Sequence, residues 1–436
     1  MKTPIYDFAR AYAESDSLRL HMPGHKGKSF LGCESLDITE IEGADSLYHA
    51  RGIILESEDN ATSLFGSTHT FYSTEGSSLC IRAMLYLIKS LDKKPKILAA
   101  RNAHKTFISA AAILGIDVDW IYGESYLSCS VDPRELDETL SKEKPTAVYI
   151  TSPDYLGNIA DIESIGKVCR KHGVLLAVDN AHGAYLKFLT PSMHPIDLGA
   201  DICCDSAHKT LPVLTGGAYL HISKNAPEFF AREARNALSL FGSTSPSYLI
   251  LESLDLANRY LSGGYIEKLN DFCKKVEILK AELTDFGYTL IGDEKLKITI
   301  CAKPYGYSGD SLAEEISKRG AFVEFCDPDY VVLMLTPEFD KMDKLRDLLL
   351  SIERRDAVSS SAPSLPRPIR MLSPSEAIFA EAEELDAEKC LGRVLASVSV
   401  SCPPAVPVVV SGELIDKDSI EIFKYYGIKK CRVVKK

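Results

Sequence analysis

Short apolar runs alternate with helical patterns through the first half of the chain, and this alternation constrains the fold more than any other feature. The runs KILAA (96–100), TAVYIT (146–151) and VLLAVD (174–179) are each bounded by turn residues. Helical patterns, TFISAAAILG and IESIGKVCRKHG, follow the first two. Short, continuously apolar strands that alternate with helices imply a largely parallel sheet covered on both faces. We therefore expect an α/β domain in the middle of the chain.

The pattern changes after about residue 255, where a long charged helical pattern, IEKLNDFCKKVEILKAELTDFG, begins. It is followed by the strand-like run KLKITICA, a second helical pattern at SLAEEISKRG, and the runs AFVEF and YVVLML. This order favours a smaller α+β domain, and a Ser/Pro-rich stretch after it has the composition of an extended surface linker. The predicted division is an N-terminal segment (1–50), a major α/β domain (51–260), a small α+β domain (261–357), the linker (358–377) and a C-terminal domain (378–436).

Composition and charge exclude several classes of partner. The 436 residues carry a formal net charge of −11 without a basic stripe, which argues against nucleic acid or an anionic membrane. No segment approaches the roughly 20 apolar residues that span a bilayer, and the first residues lack the apolar core of a signal peptide, so we expect a cytoplasmic protein. The 12 cysteines show neither CxxC pairs nor a Cys/His ligand spacing. Buried free thiols are a better interpretation than disulfides or a metal site.

Ligands of open α/β sheets bind beyond the carboxyl ends of the strands, so the polar residues that follow each apolar run are the candidate site. The first such motif is STEGSSLCIRAML, in which Gly76, Ser77 and Ser78 open a helix. The free N–H groups and positive dipole of a helix start can hold a phosphate. The same Gly-Ser-Ser string is also an ordinary helix cap.

The second motif follows KILAA, where the string RNAHK places His104 at a strand-to-helix turn. An imidazole at this position could stack on an aromatic cofactor. A loop histidine that caps the next helix is the alternative interpretation, and the motif alone does not decide between them.

The third motif is the run VLLAVD, which ends on Asp179 and continues with Asn180, Ala181, His182 and Gly183. An unpaired carboxylate at a buried strand end would cost several kcal/mol, so a cation or a protonated ring nitrogen should neutralise it. A metal ion would need more carboxylates or histidines than this segment offers, whereas a pyridinium needs one carboxylate.

The fourth motif lies 30 residues further on, where DICCD is followed by Ser206, Ala207, His208 and Lys209. An amine whose pKa falls on desolvation forms Schiff bases with aldehydes, and the flanking Ser206 and His208 suit a phosphate. A surface lysine in a turn is the alternative for this motif alone. Together, the four motifs supply the contacts that pyridoxal 5'-phosphate (PLP) needs.

At these residues the chain resembles the fold-type-I PLP enzymes, and within them the short form of the Orn/Lys/Arg decarboxylase family. The resemblance runs along nearly the whole chain, through LRLHMPGHKG (18–27), DITEIEGADSLYHARGII (37–54), RNAHK (101–105), VDNAHGAY (178–185), SAHKTLP (206–212), STSPSY (243–248) and CPPAVPVVVSGE (402–413). It implies an aspartate aminotransferase-like fold, with a mostly parallel central sheet, a smaller α+β domain and a C-terminal decarboxylase domain.

The resemblance also implies roles for individual residues. Lys209 would form the Schiff base, Asp179 would pair with the ring nitrogen, and His104 and Ala181 would lie on opposite faces of the ring. The implied phosphate ligands are Ser77, Ser78, Ser206 and His208, with Gly76 at the helix start and His182 beside the cofactor. The segment Ser243, Thr244 and Ser245 would reach the phosphate of the neighbouring subunit, which implies a homodimer with shared active sites, lined in part by residues 1–50.

The resemblance implies decarboxylation of a basic amino acid, with arginine preferred over lysine and ornithine. Asp45 and Glu413 are candidate acceptors for the distal cation of the substrate, and Lys209 or His208 for returning a proton to Cα. Three positions depart from the family pattern, because His182, Ala405 and Ser411 replace tryptophan, glycine and proline. An aminotransferase or lyase of the same fold would share all four motifs, and a non-catalytic regulator is the alternative of another class.

Overall fold

The structure, a computed structural model, describes residues 1–123, 128, 130–360, 362–402 and 406–436. It separates into two compact units. The first contains Met1–Lys93, Leu136–Ser152 and Ile162–Leu269, and the second contains Lys94–Glu135, Pro153–Asp161 and Asn270–Lys436.

The described helices of four or more residues, apart from short 3-10 turns, are α1 (Pro4–Glu14), α2 (Ile53–Phe65), α3 (Gly76–Lys89), α4 (Lys105–Leu114), α5 (Pro133–Lys142), α6 (Ile162–His172), α7 (Pro195–Leu198), α8 (Ala207–Thr210), α9 (Glu228–Ser239), α10 (Tyr248–Leu261), α11 (Tyr265–Phe286), α12 (Gly309–Lys318), α13 (Met342–Leu350), α14 (Pro374–Phe379) and α15 (Lys417–Tyr425). The strands are β1 (His69–Ser73), β2 (Lys96–Ala100), β3 (Asp117–Ile121), β4 (Ala147–Thr151), β5 (Leu175–Asp179), β6 (Ile202–Asp205), β7 (Ala218–Ile222), β8 (Thr289–Ile291), β9 (Lys297–Cys301), β10 (Phe325–Cys326), β11 (Tyr330–Met334), β12 (Ala382–Asp386), β13 (Ser399–Cys402), β14 (Val406–Val410) and β15 (Lys430–Val434).

The first unit is built around strands in the order β1-β7-β6-β5-β4. Strands β4, β5 and β6 run parallel, whereas β7 is antiparallel to both β6 and β1. In β5, the residues from Leu176 to Asp179 are buried, and Asp179 lies opposite Cys204 in the register. Because neighbouring parallel strands end at the same edge of the sheet, the turns that follow β5 and β6 lie side by side.

The second unit contains the parallel pair β2–β3, an antiparallel sheet in the order β10-β11-β9-β8, and the antiparallel pairs β12–β15 and β13–β14. One apolar core includes Phe325 and Val332 from the four-stranded sheet and Val409, Phe423 and Val433 from the C-terminal segment. The regions predicted as a small domain and a C-terminal domain thus share a core, while the predicted boundaries themselves stay a prediction.

The sequence patterns predicted most elements of both units, and two expectations were wrong in detail. The run AFVEF contributes only Phe325 to a strand, because the chain leaves α12 through Gly320 and Phe322 remains 89% exposed. The end of the predicted linker is helical, since Ser373 and Glu376 form a reciprocal cap at the start of α14.

Two findings concern membrane-spanning helices and the state of the cysteines. In the part of the chain that the structure describes, no helix is long and apolar enough to cross a membrane. The ten cysteines whose side chains are described are all free thiols.

A buried carboxyl group on α10 makes stability depend on pH. Glu252 is 3% exposed, and burial, together with Asp37 and Asp255, raises its pKa from 4.5 to about 8. The unfolded chain releases this proton near its ordinary pKa while the folded chain retains it, so stability falls as pH rises between the two values. We expect Glu252→Gln to raise the unfolding free energy by about 2–4 kcal/mol at about pH 9 and far less at about pH 5.

Urea denaturation at the two pH values measures this effect. The exposed Glu267, substituted by glutamine, is the matched control and should change stability little at either pH. A gain for Glu252→Gln that is the same at both pH values would contradict the assignment.

Candidate active site

The helix start that was predicted to bind phosphate lies directly after β1. Gly76 has a φ of +70°, which glycine adopts without strain, and its N–H donates to the Gly216 carbonyl at 2.7 Å. The next residue, Ser77, accepts a 2.8 Å hydrogen bond from Ser206 Oγ, although the two are 129 residues apart. The first N–H groups of a helix lack intrahelical partners and carry the positive end of its dipole. Two hydroxyls from different motifs therefore meet at a helix start suited to an anion.

The carboxylate of Asp179 lies at the end of β5 and is 2% exposed. Tyr149 Oη donates to it at 3.2 Å, and the Ala181 N–H donates at 3.2 Å. The Cys204 thiol lies 3.7 Å away. Burial, together with the negative charge of Asp179, raises the pKa of Tyr149 well above its ordinary value, so the phenol stays a donor. Among the described residues, no lysine, arginine or histidine forms an ion pair with Asp179.

Lys209 lies on the single turn α8, immediately after β6. Its Nζ is 2.9 Å from His182 Nε2, so the turn after β5 and the turn after β6 meet through these two side chains. Lys209 is half-buried, and His182 is 5% exposed. His208 Nδ1 donates a 3.0 Å hydrogen bond to the carbonyl oxygen of Gly217, which fixes the orientation of the ring.

The residues of the first unit fit PLP on chemical grounds. A protonated pyridine nitrogen would supply the positive charge that the buried Asp179 lacks among the described residues. Ser77 and Ser206 offer hydroxyls for a phosphate at the start of α3, and Lys209 offers an amine for the aldehyde. The structure brings these predicted residues together at neighbouring strand ends.

Other predicted cofactor residues have partners of their own. His104 caps α4, because its Nδ1 accepts the Thr106 N–H at 3.2 Å, so the local-capping interpretation describes this contact. The Ser243 N–H donates to Glu75 Oε1 at 2.5 Å, beside the start of α3. Ser243 and Thr244 are exposed. Stacking by His104 and the phosphate roles of Ser78, Ser243 and Thr244 stay predictions.

The two carboxylates predicted to meet a substrate cation are occupied within the chain. Asp45 accepts four backbone N–H groups, one from the adjacent Ser46 and three from residues around the start of α2, with Gly52 the nearest at 2.8 Å. Glu413 is 2% exposed and forms two 2.7 Å bonds with the Arg101 guanidinium. Both contacts are structural, which argues against either carboxylate as the receptor of the substrate's distal cation. Of the family departures, Ser411 is buried, and Ala405 lies outside the described residues.

Comparison with known proteins shows the family of the chain. The family model of the Orn/Lys/Arg decarboxylase major domain matches residues 3–286. The chain belongs to the Orn/Lys/Arg decarboxylase family. The uncharacterized protein YaaO of Bacillus subtilis is 30% identical, over 97% of this chain and 93% of that protein. An arginine decarboxylase of Halalkalibacterium halodurans is 27% identical, over 96% of this chain and 92% of its own length.

The fold of this decarboxylase-family chain is that of fold-type-I PLP enzymes, as the sequence predicted. The crystal structure of the Francisella novicida lysine decarboxylase LdcF superposes with a TM-score of 0.81 at 17% identity, covering 99% of this chain and 81% of that one. The family is PLP-dependent, so the predicted cofactor is also confirmed.

Sequence reasoning missed two contacts in this family member: Tyr149 donates to Asp179, and Arg101 pairs with Glu413. The sequence pattern indicates Tyr149 only as one residue of an apolar strand. The signal that could have identified it is a tyrosine within such a run, in the strand that precedes the one ending at Asp179. Arg101 is part of the RNAHK motif, and the sequence pattern assigns no role to this arginine. A charged residue at the end of a buried strand nevertheless needs a partner, as Asp179 does.

The Arg101–Glu413 pair is a buried ion pair of the second unit. The guanidinium also donates to the Val408 carbonyl at 2.9 Å and lies 4.8 Å from the centre of the Trp120 ring. Removing one partner of a buried pair leaves an uncompensated charge, so we expect Arg101→Met to lower the unfolding free energy by about 3–5 kcal/mol. Fluorescence of Trp120, the single tryptophan of the chain, measures this unfolding directly.

The exposed pair Arg370–Asp117 of the same unit is the matched control, with side chains 42% and 48% exposed. Arg370→Met should cost less than about 1 kcal/mol. Equal losses for both arginine variants would show that the buried pair contributes no more than a surface pair.

Proposed function

We propose that this protein is a PLP-dependent decarboxylase of a basic amino acid, arginine first and lysine or ornithine next, in polyamine-type metabolism. The observation that carries the proposal is the buried Asp179 carboxylate, which has no cation among the described residues and lies beside the turn of Lys209. The alternatives are an aminotransferase or lyase of the same fold, which the assay below distinguishes.

PLP, when bound, supplies an electron sink that accepts the electrons left at Cα when the carboxylate departs as CO2. Asp179 would hold a proton on the ring nitrogen and keep that sink effective. Tyr149 and the Ala181 N–H hold the carboxylate oxygens, so that the charge faces one direction. Lys209 would provide the amine that attaches the cofactor.

Proton transfer near Cα involves Lys209 or His208. Lys209 has the His182 imidazole 2.9 Å from its amine, so His182 can share a proton with it. His208 is oriented by the Gly217 carbonyl at 3.0 Å through its Nδ1. Geometry thus offers each candidate a partner, and a pH profile of Lys209→Ala rescued with exogenous amines would separate them, since rescue requires that the lysine amine carries the proton.

Arginine is favoured because the relatives that match along nearly the whole chain include arginine decarboxylases, such as that of Halalkalibacterium halodurans. The test is an equimolar mixture of arginine, lysine and ornithine with PLP and the purified protein. We expect agmatine as the main amine, with one CO2 per amine and no keto acid. Cadaverine or putrescine as the main product would change the substrate, and a keto acid would favour an aminotransferase.

We propose a homodimer with shared active sites, acting in the cytoplasm. Leu18, Leu20, Phe30 and Leu31 are 80–89% exposed within one short N-terminal segment, and exposed apolar side chains so close together mark an interface. Ser243 and Thr244 are also exposed, as a loop that reaches a neighbouring subunit would be. Sedimentation velocity should give the mass of two chains, and a single-chain mass across micromolar concentrations would refute the dimer.

A further inference from the structure

A cluster of ionisable groups lies in the core of the first unit, outside the residues assigned to the cofactor. His194 Nε2 and His221 Nε2 lie 3.0 Å and 3.1 Å from the same oxygen of Asp205. All three side chains are 0% exposed. Burying three ionisable groups costs free energy unless they form hydrogen bonds with one another or with neighbouring polar groups.

The protons of the cluster identify it as a closed hydrogen-bond network. His194 Nδ1 accepts the Ile196 N–H, so the proton of this ring is on Nε2 and points to Asp205. Burial lowers the pKa of His221, which favours its neutral form, with Nδ1 2.8 Å from Thr70 Oγ1. Burial alone would raise the pKa of Asp205, but the two histidines outweigh it and hold the pKa well below its ordinary value.

These groups are also spaced so that they could hold a metal ion, with their ligand atoms within 4.8 Å of one another. However, both Nε2 atoms are already donors to one ionised carboxylate. The Asp205 carboxylate is therefore an anion that accepts hydrogen bonds from two neutral imidazoles, and no metal ion is needed to balance the cluster. Metal binding is one of the outcomes that the experiment below can detect.

The other oxygen of Asp205 connects the cluster to the cofactor turns. It accepts a 2.7 Å hydrogen bond from Asn180 Nδ2. Asn180 directly follows Asp179, and its own N–H donates to the Cys204 carbonyl at 2.9 Å. The turn after β5 is thereby fixed to the end of β6 by one backbone bond and one side-chain bond.

We propose that Asp205 is a positioning residue for the cofactor, holding the turn that carries Asp179 in register with the turn that carries Lys209. Asp205 is the last residue of β6, so its backbone leads directly into Ser206 and Lys209, while its side chain holds Asn180. His194 and His221 keep the carboxylate ionised and oriented. The inference rests on the proposed function, because it requires PLP at Asp179 and Lys209.

The experiment measures PLP binding to the apo forms of the full chain, by titration of the visible absorption band, and the visible circular dichroism of the saturated protein. For Asp205→Asn, whose amide cannot accept from all three donors, we expect a rise in the PLP dissociation constant of about 10- to 100-fold and a changed dichroism per bound cofactor. Asn180→Ala leaves the histidine contacts intact and should show the same change in smaller degree, which covers the case that Asp205→Asn does not fold.

The matched control is Asp255→Asn. Asp255 is also 0% exposed, and it accepts the N–H groups of Ile5 and Tyr6 and the Ser57 hydroxyl, none of which belongs to the four motifs of the site. We expect it to lower the melting temperature of the apo protein without changing PLP affinity or dichroism. If Asp255→Asn weakens PLP binding in proportion to its loss of stability, then lost stability alone explains the effect of Asp205→Asn. That result would overturn the inference.

Two further outcomes are decisive. Unchanged PLP affinity in folded Asp205→Asn and Asn180→Ala would overturn the positioning role while leaving the proposed function intact. Wild-type protein that binds no PLP would overturn the proposed function itself. A stoichiometric metal in purified wild-type protein, absent from Asp205→Asn, would replace the positioning role with a metal site.

Discussion

Replacing Lys209 with alanine is expected to abolish covalent attachment of PLP and to lower kcat by at least about a thousandfold. Without Lys209, α8 has no amine that can form a Schiff base with the PLP aldehyde. It also has no amine that can assist the reaction after the substrate has displaced the lysine. Borohydride reduction followed by intact mass measurement tests attachment, and release of labelled CO2 tests turnover. Wild-type protein should gain the mass of one reduced PLP per chain.

The exposed Lys224 provides the control for this experiment. Lys224→Ala should retain both the reducible adduct and the turnover of the wild type, since this lysine follows β7, which is antiparallel to β6 and ends at the opposite edge of the sheet from Lys209. A reduced adduct that persists in Lys209→Ala would show that another lysine holds the cofactor.

Asp179→Asn is expected to keep PLP bound while kcat falls about a thousandfold, equivalent to ~4 kcal/mol in the barrier. An amide can still accept the hydrogen bond of Tyr149, but it carries no charge to hold a proton on the ring nitrogen. Ser77, Ser206 and Lys209 remain, so binding should depend little on this change. Single-turnover decarboxylation at saturating PLP measures the loss.

Asp201→Asn controls for the loss of a carboxylate at the adjacent strand. Asp201 precedes β6 and accepts the Leu176 N–H at 2.8 Å, a role that an asparagine oxygen can fill. Its turnover should stay near the wild-type value. Retained turnover in Asp179→Asn would refute the role of this carboxylate in maintaining the electron sink.

The sequence predicted the positions of Asp179, Lys209 and Ser77 because each follows an apolar run, and strand ends in parallel sheets lie at one edge. The same local reasoning placed His104 at a helix start, where the structure shows a cap. It could not supply partners that are distant in sequence. Tyr149 reaches Asp179 through the side-by-side pairing of β4 and β5, which only the strand order reveals.

Glu413 illustrates a second limit. Its residue type and its family motif suggested an acceptor for a substrate cation, but its partner is Arg101, 312 residues earlier in the chain. The sequence shows Asp205 at the end of DICCD but assigns it no role, because the two histidines that orient it lie before α7 and on β7 and are not adjacent in the sequence. The strand pattern also failed at AFVEF, where Phe322 is exposed.

The Arg101–Glu413 pair has a consequence for recombining this chain with its relatives. Arg101 opens the turn that contains His104, and its charge is neutralised by a residue beyond the linker at 358–377. A crossover in that linker would therefore exchange an acceptor that the earlier part of the chain depends on. Chimeras should tolerate the exchange only when the donor sequence has a carboxylate at the position of Glu413. The C-terminal segment and the turn that begins at Arg101 should therefore be exchanged together.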